Sequence, residues 1–137
     1  MANYISVGRT NYFKVTDENR WEELFENISA NDGKWDYSRK TPDGTILHCF
    51  AVEGGLDYRS PDVYDSELDY FIEEVQKILP DDEAMIYTEA GHEKHRYVIG
   101  FSLVVTSKSI DWIPLPELGL DVARNHLGKN FTTQMDY

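Results

Sequence analysis

The densest apolar pattern in the chain lies between Glu83 and Leu115. Two runs rich in β-branched and aromatic residues, 84–90 and 96–106, flank the polar connection Gly91-His92-Glu93-Lys94-His95, and a third run, 110–115, follows Ser107-Lys108-Ser109. This spacing predicts a central antiparallel meander. Its second run is nearly continuous in apolar or β-branched residues (Tyr97, Val98, Ile99, Phe101, Leu103, Val104, Val105, Thr106), the pattern of a strand covered on both faces.

Upstream, residues 1–11 read as a short polar arm, and Tyr12-Phe13-Lys14-Val15 as a first strand. A helix then starts at a Thr16 or Asp17 cap: Trp21, Leu24, Phe25 and Ile28 recur at helical spacing, with acids crowding the opposite face. Asn31-Asp32-Gly33 is expected to end it. Residues 34–40 and 45–53 read as two strands joined by the turn Thr41-Pro42-Asp43-Gly44, the first of them half-exposed or at an edge. Gly54-Gly55 breaks the second arm, and a loop over 56–63 carries Tyr58, Arg59 and Pro61. A second helix is predicted from Asp65 or Ser66 to about Leu79, with an apolar stripe of Leu68, Phe71, Ile72, Val75, Ile78 and Leu79. A third is predicted over 114–128, with Leu118, Val122 and Leu127 facing inward and Gly128 closing it.

The resulting order, β-α-β-β-α-β-β-β-α, predicts an α+β fold: one domain over 1–137, with two helices on one face of a mainly antiparallel sheet. Its first six elements have the ferredoxin-like order β-α-β-β-α-β, extended by the C-terminal meander and third helix. The N-terminal arm (1–11) and the tail (129–137) are expected to be peripheral, the tail either frayed or packed through Phe131, Met135 and Tyr137. A curved sheet wrapped around one helix is the other topology compatible with this order.

Composition adds a core rich in aromatics and a marked charge imbalance. With 25 acids against 13 Lys and Arg, the net charge is −12, which disfavours direct contact with nucleic acid or membranes and favours cationic partners. The single cysteine, Cys49, has no internal disulfide partner, and the first residues lack the blocks of a signal peptide, so an intracellular, cytoplasmic protein is expected. No apolar run approaches the roughly 20 residues of a membrane helix.

Three constellations carry candidate chemistry. Glu89, His92, Glu93 and His95 gather near the hairpin connection and offer zinc- or iron-type ligands, but the spacing lacks a helical metal motif, and Lys94 and Arg96 place positive charge beside it. A solvated turn is the favoured reading, with no cofactor. His48 and Cys49 are adjacent in a strand and so point to opposite faces, which argues against a thiol and base sharing a proton. The third constellation is electrostatic: residues 53–93 hold thirteen acids against Arg59 and Lys77, nearly the whole net charge. Asp65, Asp69 and Glu73 recur every four residues, a like-charged ridge with steps of about 6 Å that costs helix stability. Such a row is comparable in spacing to the phosphates of a nucleic-acid strand, although a solvated helix face gives the same pattern.

At NYFKVTDENRWEELF (11–25) and EAGHEKHRYVIGFSLVVTSKSIDW (89–112) the chain resembles small acidic proteins of phages and other mobile elements, among which anti-CRISPR proteins are found. The resemblance spans about half the chain and brings no catalytic motif, so it transfers no functional residue. It implies a setting in which host nuclease complexes are blocked.

The expectation is therefore a non-enzymatic nucleic-acid mimic that occupies a basic groove on a nucleic-acid-binding protein or complex, such as a CRISPR effector. Asp65, Asp69, Glu73, Glu74, Asp81 and Asp82 would make the contact, with Tyr58, Tyr64 and Tyr70 as aromatic anchors. A metal-assisted enzyme at the 89–95 hairpin, with Glu89, His92 and His95 as ligands, and a structural module that self-associates through exposed Tyr and Trp are the alternatives.

Overall fold

The computed structural model describes residues 3–60 and 67–133. Ten strands and three helices follow in the order β1 (Ile5–Thr10), α1 (Glu18–Glu26), β2 (Ile28–Ser29), β3 (Gly33–Asp36), β4 (Arg39–Lys40), β5 (Ile46–Leu47), β6 (Phe50–Glu53), β7 (Asp57–Tyr58), α2 (Glu67–Ile78), β8 (Ala84–Glu93), β9 (Arg96–Thr106), β10 (Ile110–Pro114) and α3 (Leu115–Leu127). Six of these strands form one sheet in the order β10-β9-β8-β1-β6-β3, and every neighbouring pair in it is antiparallel. β2 with β7, and β4 with β5, make two small ladders beside it. The chain is thus α+β, with a mainly antiparallel sheet.

The pairings make β1 parallel to β3, with β6 between them and α1 as the connection. They make β6 parallel to β8, with β1 between them and α2 as the connection. Both helices pack on one face, where Trp21 and Leu24 of α1 and Phe71, Ile72 and Val75 of α2 meet Phe50, Val52, Met85, Tyr87, Leu103 and Val105. Each large apolar side chain fully withdrawn there contributes roughly 1.5–3 kcal/mol.

The expected first strand is displaced. Residues 5–10 form β1, an interior strand rather than a polar arm, whereas Phe13 makes only an isolated bridge with His48. Polarity misleads here because the inward positions of β1 are Ser6, Gly8 and Thr10, while Ile5 and Val7 face out. Small inward residues are needed because the Tyr87 ring covers Gly8. The meander is present over its expected span, but at one side of the sheet, not at its centre. Nor is β9 covered on both faces: Leu103 and Val105 are buried, whereas Tyr97 and Val98 are exposed.

Helix α1 begins where expected, with Asp17 Oδ1 accepting from Arg20 N, but ends at the Asn27 cap, so that Ile28 enters β2. The expected cap of α2 at Asp65 or Ser66 lies outside the described residues. Helix α3 has its expected bounds with a different role. Leu118, Val122 and Leu127 are 44%, 56% and 68% exposed, and none of its residues is buried. The inward face of the sheet is already occupied by α1 and α2, and α3 packs beside β9 and β10, with Leu115 lying over Gly100. Phe131 follows the helix closely, its carbonyl accepting from Arg124 Nε at 3.0 Å.

Candidate functional site

The layer of α1 and α2 presents a carboxylate-rich surface. Its apolar stripes are spent on the core, which leaves Glu18, Glu22, Glu23 and Glu26 of α1 and Glu67, Asp69 and Glu73 of α2 exposed. Asp81 and Asp82, after α2, are exposed as well, and Asp81 accepts from Ser107 Oγ at 3.1 Å. The α1 carboxylates were not among the expected contact residues. Their spacing shows them opposite an apolar stripe, but only the packing of α1 beside α2 places them on the same face of the sheet as the α2 acids.

Three of the expected contact residues are built into the scaffold. Tyr58 is no surface anchor: it is 2% exposed and stacks on Phe71 with ring centroids 5.1 Å apart. Tyr70 is half-buried, and its Oη accepts from Arg20 Nη2 at 2.9 Å. Glu74 faces α1, where Arg20 Nη2 donates to Oε1 at 2.7 Å, while Lys77 Nζ lies 2.5 Å from Oε2. Arg20 also reaches Glu23 at 2.9 Å. These bonds hold Glu74 below the ordinary carboxylate range, with Lys77 the larger influence and Arg20 next, and the same carboxylate holds the Arg20 guanidinium above its usual range. Asp65 and Tyr64 lie outside the described residues.

The hairpin does not gather its candidate ligands. Strand alternation places Glu89 on the inward face, 5% exposed, and His92 on the outward face opposite Ile5. A register shift between Gly91 and Glu93 then leads to a tip where Lys94 and Tyr97 take φ values of 53° and 51°. Among the described residues, no three His, Cys, Asp or Glu side chains are placed to hold a metal ion.

Instead, Glu89 is the acceptor of two phenols, one buried and one half-buried. Tyr87 Oη donates to Oε1 at 2.6 Å, and Tyr4 Oη donates to Oε2 at 3.1 Å. Burial, then the neighbouring carboxylate, pushes Tyr4 up to about 12 and raises Tyr87 as well. Ser6 Oγ, near the Tyr4 hydroxyl, is buried and has no hydrogen-bond partner among the described residues.

A second polar pair, one member buried and the other exposed, was invisible in the sequence. His48 Nε2 lies 2.6 Å from Glu18 Oε2 although the residues are thirty positions apart. The His48 ring packs against Trp21, with centroids 5.4 Å apart, and borders a cavity of about 350 Å³. Cys49 points elsewhere, its Sγ donating to the Thr10 carbonyl at 3.3 Å, so the two do not form a thiol and base pair.

The outward face of the sheet carries Ile5, Val7, Ile86, Val98 and Ile113, all exposed. Ile5, Val7 and Val98, with Ala90, His92 and Lys94, border a shallow groove of about 580 Å³. No helix of the described residues is long and apolar enough to cross a membrane. Comparison with protein-family models, with curated proteins and with solved structures finds no match.

Proposed function

We propose that this chain is a non-enzymatic acidic protein that blocks a basic nucleic-acid-binding groove on another protein or complex, of which a CRISPR effector is one example. The observation that carries this reading is that both helices on one face of the sheet carry exposed carboxylates, Glu22, Glu23 and Glu26 on α1 and Asp69 and Glu73 on α2. A packed helix pair holds such charges in fixed positions, so that a groove built for phosphates meets them without ordering them first. Asp81 and Asp82 extend the charge beyond the end of α2. Tyr58, Tyr70 and Glu74 serve by fixing the two helices, not by touching the partner.

Displacement of labelled duplex DNA from a purified CRISPR effector nuclease tests this. The protein displaces DNA at about 50 mM salt and loses potency steeply by about 300 mM, and joint reversal of Asp69, Glu73, Glu22 and Glu26 to Lys abolishes displacement. Unchanged displacement by the reversed variant removes the acidic face from the explanation.

The order β8-β1-β6-β3, with both crossovers on one face, supports a ferredoxin-like core to which β9, β10 and α3 are added beyond β8. A second functional reading, self-association, is favoured by the exposed apolar face of the sheet together with the exposed apolar residues of α3. A stable dimer needs on the order of 1,000 Å² of buried surface. Light scattering across a concentration series decides it, since a constant monomer mass removes this reading.

A further inference from the structure

Helix α3 lacks what ordinarily holds a helix of its length. It has 13 residues, none of them buried, and Gly119 interrupts its interior. A free helix of about 12–15 residues is marginal in water, and an interior glycine weakens it further, so such a helix draws its stability from an apolar face packed on something. Leu115, Leu118 and Val122 recur at helical spacing on one stripe, and all three are exposed. Gly119 lies on the same stripe, and a Cβ added there meets nothing within 4 Å. Packing within the chain does not call for glycine at this position, whereas a flat surface approaching the stripe closely does.

The sheet offers such a surface. Ile5 and Val7 face outward on β1, and the register carries the same face across Ile86 and Ala90 of β8, Val104 of β9 and Ile113 of β10. In a chain with 25 acids, the outward positions of 5–9, 86–92, 100–104 and 111–113 hold a single carboxylate, Asp111. Residues 94–137, which include α3, carry five Lys or Arg against four acids, while the exposed acids of α1 and α2 stand on the opposite face of the sheet. Two copies that meet through α3 and the outward face thus keep most of their negative charge on the far sides of the pair. The two surfaces are also neighbours in one copy: Leu115 lies over Gly100, which pairs with Ala90 at the border of the shallow outward groove.

We infer, resting on the self-association reading, that α3 of each copy lies on the outward sheet face of a second copy, in a reciprocal two-fold pair. A helix of this length is about 20 Å long and about 10 Å across, so it covers about 200 Å² in projection. Helix and sheet in two reciprocal contacts together cover roughly 800 Å² in projection, and more in accessible surface, which reaches the order of 1,000 Å² that a specific interface requires. The acids of α1 and α2 stay outward on both copies, so the pair leaves the acidic faces open.

Sedimentation velocity of the full chain between about 1 and about 300 μM shows monomer passing to dimer and no further, as a closed two-fold contact requires. Gly119→Leu, whose Cβ meets nothing within the single copy, raises the dimer Kd about tenfold or more. Chains carrying Leu118→Cys and chains carrying Val7→Cys, mixed and oxidised, form a disulfide between position 118 of one copy and position 7 of the other; the native Cys49 is buried. A constant monomer mass overturns both the arrangement and the self-association reading. A dimer that Gly119→Leu does not weaken, or cross-links that join like positions only, leave self-association standing and overturn the placement of α3 on the sheet. The cross-link reports that placement even where Gly119→Leu does not fold.

Discussion

The ring of Tyr87 occupies the space that a side chain at Gly8 would need: a Cβ added to Gly8 would stand 1.9 Å from Tyr87 Oη and 2.4 Å from Cζ. The two residues lie on the adjacent strands β8 and β1, and the absence of a side chain on one lets the other reach Glu89. Gly8→Ala therefore forces out a fully buried ring and costs about 1–3 kcal/mol or more, read from the denaturation midpoint. Combining it with Tyr87→Ala costs much less than the sum of the single changes, because the clash is then gone. Additive costs would show that Gly8 is constrained by something else.

Alkaline pH is expected to unfold the protein early. An unfolded tyrosine loses its proton near pH 10, whereas Tyr4 keeps its proton to about 12, and Tyr87 is raised too. Above about pH 10 the unfolded chain thus binds fewer protons than the folded one, and stability falls as pH rises. Urea midpoints followed between about pH 8 and about pH 11 show this decline, and Tyr87→Phe makes it shallower while costing about 1–3 kcal/mol at neutral pH for the lost bond to Glu89. A decline of undiminished slope in that variant would assign the effect to other groups.

Acid acts through Glu74. Its carboxyl is depressed in the folded state, so its contribution is full above the unfolded value of about 4.3 and is lost as pH falls through the lower folded value. Glu74→Gln flattens the acid limb of the stability curve below about pH 5. Arg20→Leu leaves the half-buried carboxylate with Lys77 alone and destabilises the α1–α2 pair by roughly 1.5–3 kcal/mol. Thermal denaturation of both variants across this range is the measurement, and wild-type behaviour in both would mean that the ion pairs add nothing.

Helix α3 is expected to tolerate polar substitution. Leu118→Gln and Val122→Thr change monomer stability by no more than about 0.5 kcal/mol, whereas Leu24→Ala in the core costs about 2–5 kcal/mol. A cost comparable to that of Leu24→Ala, appearing only at high protein concentration, would reveal α3 as part of an interface between copies.

The extents of the meander and of α3, and the end of α2, could be read from periodicity because their apolar residues recur at the period of their own secondary structure. β1 could not be read in this way. Its inward residues are Ser6, Gly8 and Thr10, chosen to accommodate Tyr87 from a strand some eighty positions away, so local polarity reports the reverse of its burial. Two functional expectations failed for similar reasons. Tyr58 looked like a surface tyrosine of a loop until Phe71 packed on it, and Glu74 looked like one carboxylate of a ridge until Arg20 crossed from α1.

By itself, then, the sequence determined which segments become helix or strand over most of the chain, the excess of negative charge, and its concentration between residues 53 and 93. These are local or additive properties that survive without knowledge of the partners. Only the tertiary structure decided which carboxylates remain on the surface, that Glu89 turns inward to two phenols while His92 turns out, and that Glu18 meets His48 beside a cavity. Each of these depends on a pairing between distant segments, and sheet register and helix packing set such pairings through whole-chain burial rather than through any local pattern.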